Sequence, residues 1–107
     1  MTDSVIYHAN LADLTSAGPD SIISRTLSLD DQARVILFTF APGQELSEHT
    51  ASVAASLYFV RGTADLTLGE DAFQAGPGTW AHMPPNLSHS IRAHDEVVML
   101  LTMYKGK

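Results

Sequence analysis

The side chains best suited to bind a metal ion or move a proton are histidines, of which the chain has five. Imidazole is a common metal ligand, and it titrates near neutral pH without help from its surroundings. His49 follows a Pro-Gly turn at residues 42–43, and His89 follows the turn sequence Pro-Pro-Asn at residues 84–86. If folding brings these two rings together, they could hold a metal ion or form a polar pair in a ligand pocket.

Other catalytic chemistries find no support in the sequence. The chain has no cysteine, which excludes disulfides, thiolate metal sites and a thiol nucleophile. No serine lies in a nucleophile elbow, and no phosphate-binding loop or dinucleotide fingerprint is present. His8 and His94 have no partner close in the sequence, and we expect both to be exposed.

The charge of the chain argues against two classes of partner. Its net charge is −6, and its six lysines and arginines are scattered. Nucleic acids and anionic membrane surfaces recruit clustered basic residues, so neither is an expected partner. No segment approaches the ~18 apolar residues of a membrane span, and the first residues do not have the pattern of a signal peptide. We therefore expect a cytoplasmic protein.

Short apolar runs separated by glycine and proline turns predict an all-β domain of about ten strands. One domain is expected over residues 1–107, with a barrel core at about 33–104 and N-terminal strands within 4–29. A short helical turn is compatible with the segment that follows residue 9. The predicted strands are 4–9, 21–29, 33–40, 56–62, 64–71, 72–76, 79–83, 89–93 and 96–104.

The spacing of glycines and histidines resembles the two motifs of the cupin superfamily, in its small single-domain form (cupin 2, RmlC-like). Gly43, His49 and Gly62 match the first motif, and Gly78 and His89 match the second around the Pro-Pro-Asn turn. The resemblance covers residues 33–104. It implies a double-stranded β-helix, or jelly-roll β-barrel, with the two histidines converging inside.

The chain departs from the family pattern at the metal ligands. The family holds its metal with three imidazoles and a carboxylate, but Ala51 stands in place of the second histidine and Ala55 in place of the glutamate. Ala93 replaces the asparagine that ends the second motif. Catalytic metal sites keep about three protein ligands. With His49 and His89 as its only ligands, the site could hold a divalent ion (Fe, Mn, Ni or Zn) weakly, or it could hold none.

His82 is a candidate third ligand, seven residues before His89. Successive strand residues alternate between the two faces of a sheet. If His82 points into the barrel, it could complete a three-imidazole site. If it points outward, it belongs to a surface or dimer interface beside Trp80, which shares its parity.

The two alanines in place of larger polar side chains enlarge the pocket and make it more apolar. The large apolar residues expected mainly in the core, with some lining the pocket, are Phe38, Phe40, Leu57, Phe59, Trp80, Met83, Met99 and Met103. The predicted pocket residues are His49, His89, Ala51, Ala55, Leu57, Phe59 and Met83.

Three functions remain open at this point. The first is a barrel that binds a small apolar or aromatic molecule, with a reduced or absent metal site. The second is a metal-dependent enzyme using His49, His89 and, if it points inward, His82; the family's dioxygenations, isomerisations and decarboxylations are then all compatible. The third is a structural or sensing module. The apolar strands 4–9, 33–40 and 96–104 also predict a homodimer built by sheet extension and sheet-face packing.

Overall fold

The computed structural model describes residues 5–14 and 16–105, which form two antiparallel sheets packed face to face. A 3₁₀ helix at Leu11–Asp13 precedes the strands. In chain order, the strands are β1 (Ile22–Leu29), β2 (Ala33–Phe40), β3 (Glu45–His49), β4 (Ala55–Arg61), β5 (Ala64–Leu68), β6 (Asp71–Ala75), β7 (Trp80–Met83), β8 (His89–Ala93) and β9 (Val97–Tyr104).

The topology of the two sheets is that of a jelly-roll barrel. The five-stranded sheet has the order β1-β2-β9-β4-β7, and the four-stranded sheet has the order β3-β8-β5-β6. Every pairing is antiparallel, and most neighbours in a sheet are distant in sequence. The all-β barrel expected from the sequence is confirmed.

The most apolar predicted strands occupy the middle of the larger sheet. β2 lies between β1 and β9, and β9 lies between β2 and β4. Leu37 and Phe40 on opposite faces of β2 are both fully buried, which explains the almost continuous apolar run in this strand. A strand covered on both faces loses the alternation of apolar and polar residues.

The prediction of a strand at residues 4–9 is wrong for residues 5–9, and residue 4 lies outside the described residues. Residues 5–8 have the composition of a strand, but a strand needs a neighbour to satisfy its backbone groups. Among the described residues, none pairs with this segment. The short helical turn expected after it is present at Leu11–Asp13.

The inner faces of the two sheets share one apolar core. Phe40 from β2 and Phe59 from β4 are fully buried there. Three alanines of the second sheet, Ala64, Ala75 and Ala93, are paired side by side and belong to the same cluster. Their small side chains leave room for the two phenyl rings, each of which contributes roughly 1.5–3 kcal/mol on burial.

Trp80 is the exception among the residues expected in the core. Trp80 is 64% exposed, because its side chain lies on the outer face of β7, an edge strand of the larger sheet. Periodicity cannot distinguish an apolar residue on an inner face from one at an uncovered edge.

One end of the sandwich is closed by contact between two backbone connections. Gly62, between β4 and β5, has a φ of +88°, and a Cβ added there would lie 2.1 Å from the carbonyl oxygen of Glu96. The backbone N–H of Thr63 donates to Asp95 Oδ1 at 2.7 Å. This bond lowers the pKa of the Asp95 carboxyl, because it stabilises the charged form. The two connections are thus held against each other.

Gly62→Ala is expected to destabilise the fold more than Gly43→Ala. Both glycines have positive φ, but a Cβ at Gly43 would meet no atom within 4 Å. Gly43→Ala should therefore cost only the left-handed conformation, roughly 1–2 kcal/mol. Gly62→Ala adds a backbone clash and should cost about 2–5 kcal/mol in total. Urea unfolding of both variants measures the difference, and equal losses would contradict the close contact.

Candidate functional site

The structure brings His49 and His89 together at the end of the sandwich away from Gly62. His49 ends β3 and His89 begins β8, and the two residues are direct partners across these strands. Their ring centroids lie 6.2 Å apart with the planes inclined by 38°. The register shifts between Leu46 and His49, which marks a bulge in β3 just before the histidine. Bulges commonly redirect a side chain next to a site.

The turn at residues 84–86 positions His89. Asn86 has a φ of +68°, a left-handed conformation that asparagine adopts more readily than most residues. Its backbone N–H donates to the carbonyl oxygen of Ala51 at 2.7 Å. This bond ties the segment after β3 to the turn before β8. The Pro-Pro-Asn sequence thus sets where β8 starts, as its position before His89 predicted.

A hydrogen bond to the backbone orients the ring of His89. Its Nδ1 lies 3.2 Å from the carbonyl oxygen of Leu87. Because a carbonyl oxygen can only accept, Nδ1 carries the proton in the neutral ring and Nε2 is left as a free acceptor. His89 is partly buried, whereas His49 is exposed. His89 is therefore the better placed of the two to contact a buried ligand.

The two rings stand at one side of a cavity of about 290 Å³. The opposite wall is apolar and comes from β2 and β9. None of the described residues that line the cavity is aspartate, glutamate, lysine or arginine. An apolar cavity with a few convergent polar groups is the usual form of a small-molecule site. The lining residues are Ile36, Phe38, Leu46, His49, Thr50, Ala51, His89, Leu101 and Met103.

The predicted pocket residues separate into two groups. Ala51 lines the cavity together with the two histidines. The other four, Ala55, Leu57, Phe59 and Met83, do not line it but belong to the closed core, each at most 2% exposed. They lie on the inner faces of β4 and β7, as their parity indicates, but the second sheet covers them completely.

Six lining residues were not among those predicted for the pocket. Alternation in β2 and β9 shows which residues share a face, but not which end of that face stays uncovered. Phe38 and Met103 were expected in the core or along the pocket, and they line it. The full group consists of Ile36, Phe38, Leu46, Thr50, Leu101 and Met103.

His82 lies outside this cavity. It is exposed and pairs with Ser56 on the outer face of the larger sheet. Its ring lies beside that of Trp80, with centroids 6.4 Å apart and planes inclined by 28°. Of the two orientations considered from the sequence, the structure therefore shows the outward one.

The two remaining histidines also lie away from the site. His94 is exposed as expected, and its Nε2 lies 3.0 Å from Asp65 Oδ1. This contact lowers the pKa of the Asp65 carboxyl, with a further contribution from Gln74. His8 is partly buried and not exposed, which corrects the expectation from the sequence.

The donor set at the candidate site does not fit a tightly held metal ion. Across residues 5–14 and 16–105, no group of three histidine, aspartate or glutamate side chains could hold one. His49 and His89 supply two neutral nitrogens and no negative charge, whereas catalytic sites keep about three protein ligands. The positions of Ala51 and Ala55, where the family has a histidine and a glutamate, provide no donor atoms.

The fold and the site together define a class of protein. It is a two-sheet antiparallel barrel with an apolar cavity between the sheets and a pair of imidazoles at one side. The family model for the cupin domain matches residues 36–104. The chain therefore belongs to the cupin family, as the two motifs indicated.

Solved structures with the same fold support this assignment. A conserved protein of unknown function from Streptococcus pyogenes is 28% identical with a TM-score of 0.80, over 95% of this chain and 92% of that one. A cupin superfamily protein from Desulfitobacterium hafniense is 22% identical with a TM-score of 0.87, over 96% and 94% of the two chains. An RmlC-like cupin from Desulfovibrio desulfuricans is 19% identical with a TM-score of 0.84, over 94% and 98%.

No curated protein matches the chain. Within the part of the chain that the structure describes, no helix has the length and apolar character needed to cross a membrane.

Ala51→His is expected to create metal affinity, because Ala51 lines the cavity with both histidines and a third imidazole there completes the minimum donor set. Isothermal titration with Ni²⁺ and Zn²⁺ should show affinity at least about tenfold tighter than in the unchanged chain. Ser52→His places an imidazole on an exposed neighbour and serves as the matched control. If Ala51→His folds normally but binds no more tightly than Ser52→His, the assigned geometry is wrong.

Proposed function

We propose that this cupin binds a small, neutral molecule in the cavity between its sheets, without a resident metal ion. The observation that carries the proposal is the apolar cavity of about 290 Å³ with two imidazoles converging at one side. His89 is the main polar contact, since its Nε2 is free and its orientation is fixed by Leu87. His49 and Thr50 stand at the exposed mouth.

The chemistry of the lining indicates what the ligand should look like. A charged molecule would lose its hydration among apolar side chains with no countercharge in the lining, which is costly. A cavity of about 150 Å³ accommodates benzene, so this one fits a substituted single ring or an aliphatic molecule of similar size. A hydroxyl or N–H on the ligand would donate to His89 Nε2. A simple phenol has all of these features.

We expect p-cresol to bind in this cavity and to bind more weakly to His89→Leu. Losing one hydrogen bond at a buried group should reduce affinity about tenfold. p-Xylene has a methyl group in place of the hydroxyl, so its affinity should not fall in the same variant. The measurement is a chemical-shift titration of the Leu101 and Met103 methyl groups.

His82→Leu is the control, because His82 lies outside the cavity and its loss should leave p-cresol binding unchanged. The proposal fails if p-cresol leaves the Leu101 and Met103 signals unmoved up to millimolar concentration. It also fails if His89→Leu reduces the affinities for p-cresol and p-xylene equally.

A metal-dependent cupin enzyme is the second candidate, and the pairing of the two rings favours it. Two imidazoles 6.2 Å apart between centroids could share one ion and leave its other positions to water or substrate. The same ion titration on the unchanged chain, repeated with Fe²⁺ and Mn²⁺, distinguishes the two candidates. A stoichiometric ion held at micromolar concentration and lost in His49→Ala would replace the first proposal with the second.

We also propose that the chain forms a homodimer through residues 5–8. Val5 and Tyr7 are 87% and 78% exposed, and Ile6 is largely exposed as well. These are strand-forming residues that pair with no strand among the described residues of their own chain. The outer edge of β1 carries exposed Ile23 and Leu29 and has no neighbour among the described strands. Pairing of residues 5–8 with β1 of a second copy would extend the sheet and cover both apolar groups.

Ile6→Asp with Tyr7→Asp should therefore shift the chain from dimer to monomer, because charges on this segment oppose burial. Sedimentation velocity measures the change. Phe73→Asp is the control: it places a charge on an exposed apolar residue of the smaller sheet, away from β1, and should leave the dimer intact. The proposed dimer is refuted if the unchanged chain is a monomer. It is also refuted if the variant with both substitutions remains a dimer.

A further inference from the structure

A second concavity lies where the edges of the two sheets face each other, between β6 and β7. Its volume is about 420 Å³, larger than that of the cavity at the histidines, and the two share no lining residue. β6 is an edge strand of the smaller sheet and β7 is an edge strand of the larger one. We call this region the seam. Its lining residues are Leu66, Leu68, Phe73, Gln74, Thr79, Trp80, Ala81 and His82.

The seam has an apolar floor and an aromatic rim. Leu66, Leu68 and Ala81 lie on the inner faces of the sheets and form the floor. Trp80 lies at the rim with its ring beside that of His82, and it is 64% exposed. Phe73 stands on the β6 side and is 49% exposed. Large aromatic side chains gathered around a concave surface typically mark a binding site.

One side chain with unused hydrogen-bonding capacity borders this apolar floor. The Thr79 hydroxyl oxygen accepts from the backbone N–H of Gly76 at 2.9 Å, which leaves its own proton free to donate. The Gln74 amide turns away from the floor, because its nitrogen donates to Asp65 Oδ1 at 2.6 Å on the other face of the smaller sheet. The side chains of the seam therefore offer one donor.

The seam also lacks fixed charge. None of the eight residues that line it among the described positions is aspartate, glutamate, lysine or arginine. In the described chain, β6 pairs only with β5 and β7 only with β4, so each strand has an edge without a strand neighbour. These edges supply further backbone donors and acceptors of the kind that a neutral amide or lactam can use.

We propose that the seam is a second small-molecule site, specific for a neutral, planar aromatic molecule of about two fused rings. One face of the ligand stacks on Trp80, and its edge lies over Leu66, Leu68 and Ala81. A ring carbonyl accepts from the Thr79 hydroxyl, and a ring N–H donates to a backbone carbonyl oxygen at the free edge of β6 or β7. This site does not depend on the proposed function of the histidine cavity.

The test uses the full chain and 2-quinolone, a neutral bicyclic lactam that carries both groups. Trp80 is the only tryptophan, so its indole N–H gives a single NMR signal that reports on the seam. We expect that signal to shift saturably during titration. Trp80→Ala should weaken binding about tenfold, as measured on the Leu66 and Leu68 methyl groups, because the stacking surface is lost.

His89→Leu is the matched control, since it alters the other cavity and should leave 2-quinolone binding unchanged. The proposal is overturned if 2-quinolone produces no saturable shift up to its solubility limit, or if Trp80→Ala binds it equally well. It is also overturned if a second copy of the chain covers the seam. If a second copy covers the seam, quenching of Trp80 fluorescence by acrylamide should decrease as the protein concentration rises. The Trp80→Ala variant should then dissociate from dimer to monomer. Because p-cresol binding is measured at Leu101 and Met103, failure at one cavity is distinguishable from failure at the other.

Discussion

The contact between the two backbone connections at Gly62 and Glu96 holds one end of the sandwich closed. At this end the side-by-side alanines of the second sheet share a core with Phe40 and Phe59. At the other end, the turn at residues 84–86 is tied to Ala51 through the backbone N–H of Asn86. The core is thus filled at one end, and a cavity remains at the other. A site between two sheets needs this asymmetry, because a uniformly filled sandwich would leave no space for a ligand.

The replacement of donor residues by alanine alters the site in two linked ways. A histidine at Ala51 would add both volume and a metal donor, so the alanine leaves the cavity larger and without that donor. Burying an ion without enough ligands is costly, whereas burying an apolar ligand against Phe38 and Leu101 is favourable. The same substitution therefore moves the site away from metal binding and toward apolar molecules. This is why the proposed function does not require the metal that the family pattern implies.

Much of the fold could be predicted from the sequence, because strand periodicity and turn chemistry are local. β2 was predicted with its observed bounds, and the Pro-Pro-Asn turn correctly placed the start of β8. The strand at residues 5–9 could not be excluded, since pairing depends on whether a neighbour is within reach. β3 has no apolar run to indicate it, because only Leu46 of its five residues points into the core region.

The site was predictable only in part, because its lining also depends on how distant strands and the two sheets come together. The motif spacing led to His49 and His89, because it reflects the register between two strands. Parity correctly placed Leu57 and Phe59 on the inner face of β4, but their depth along the strand puts them under the second sheet and outside the cavity. Trp80 has the right composition for a core, and only the order of the strands shows that β7 is an edge. The sequence of one strand shows which of its residues share a face. Whether such a residue is covered depends on how the other sheet lies over that face.

The two cavities share one electrostatic property, which is that no charged side chain lines either of them among the described residues. The chain carries a net charge of −6, yet none of the charged residues that the structure pairs, such as Asp65 with His94 or Arg61 with Glu96, lines either cavity. Neither cavity has a fixed charge in its described lining. An acidic surface repels anions at long range, and an uncharged lining offers cations no countercharge once they enter. Both effects favour neutral molecules, so selectivity by charge would act before the contacts of His89 or Trp80 distinguish one ligand from another.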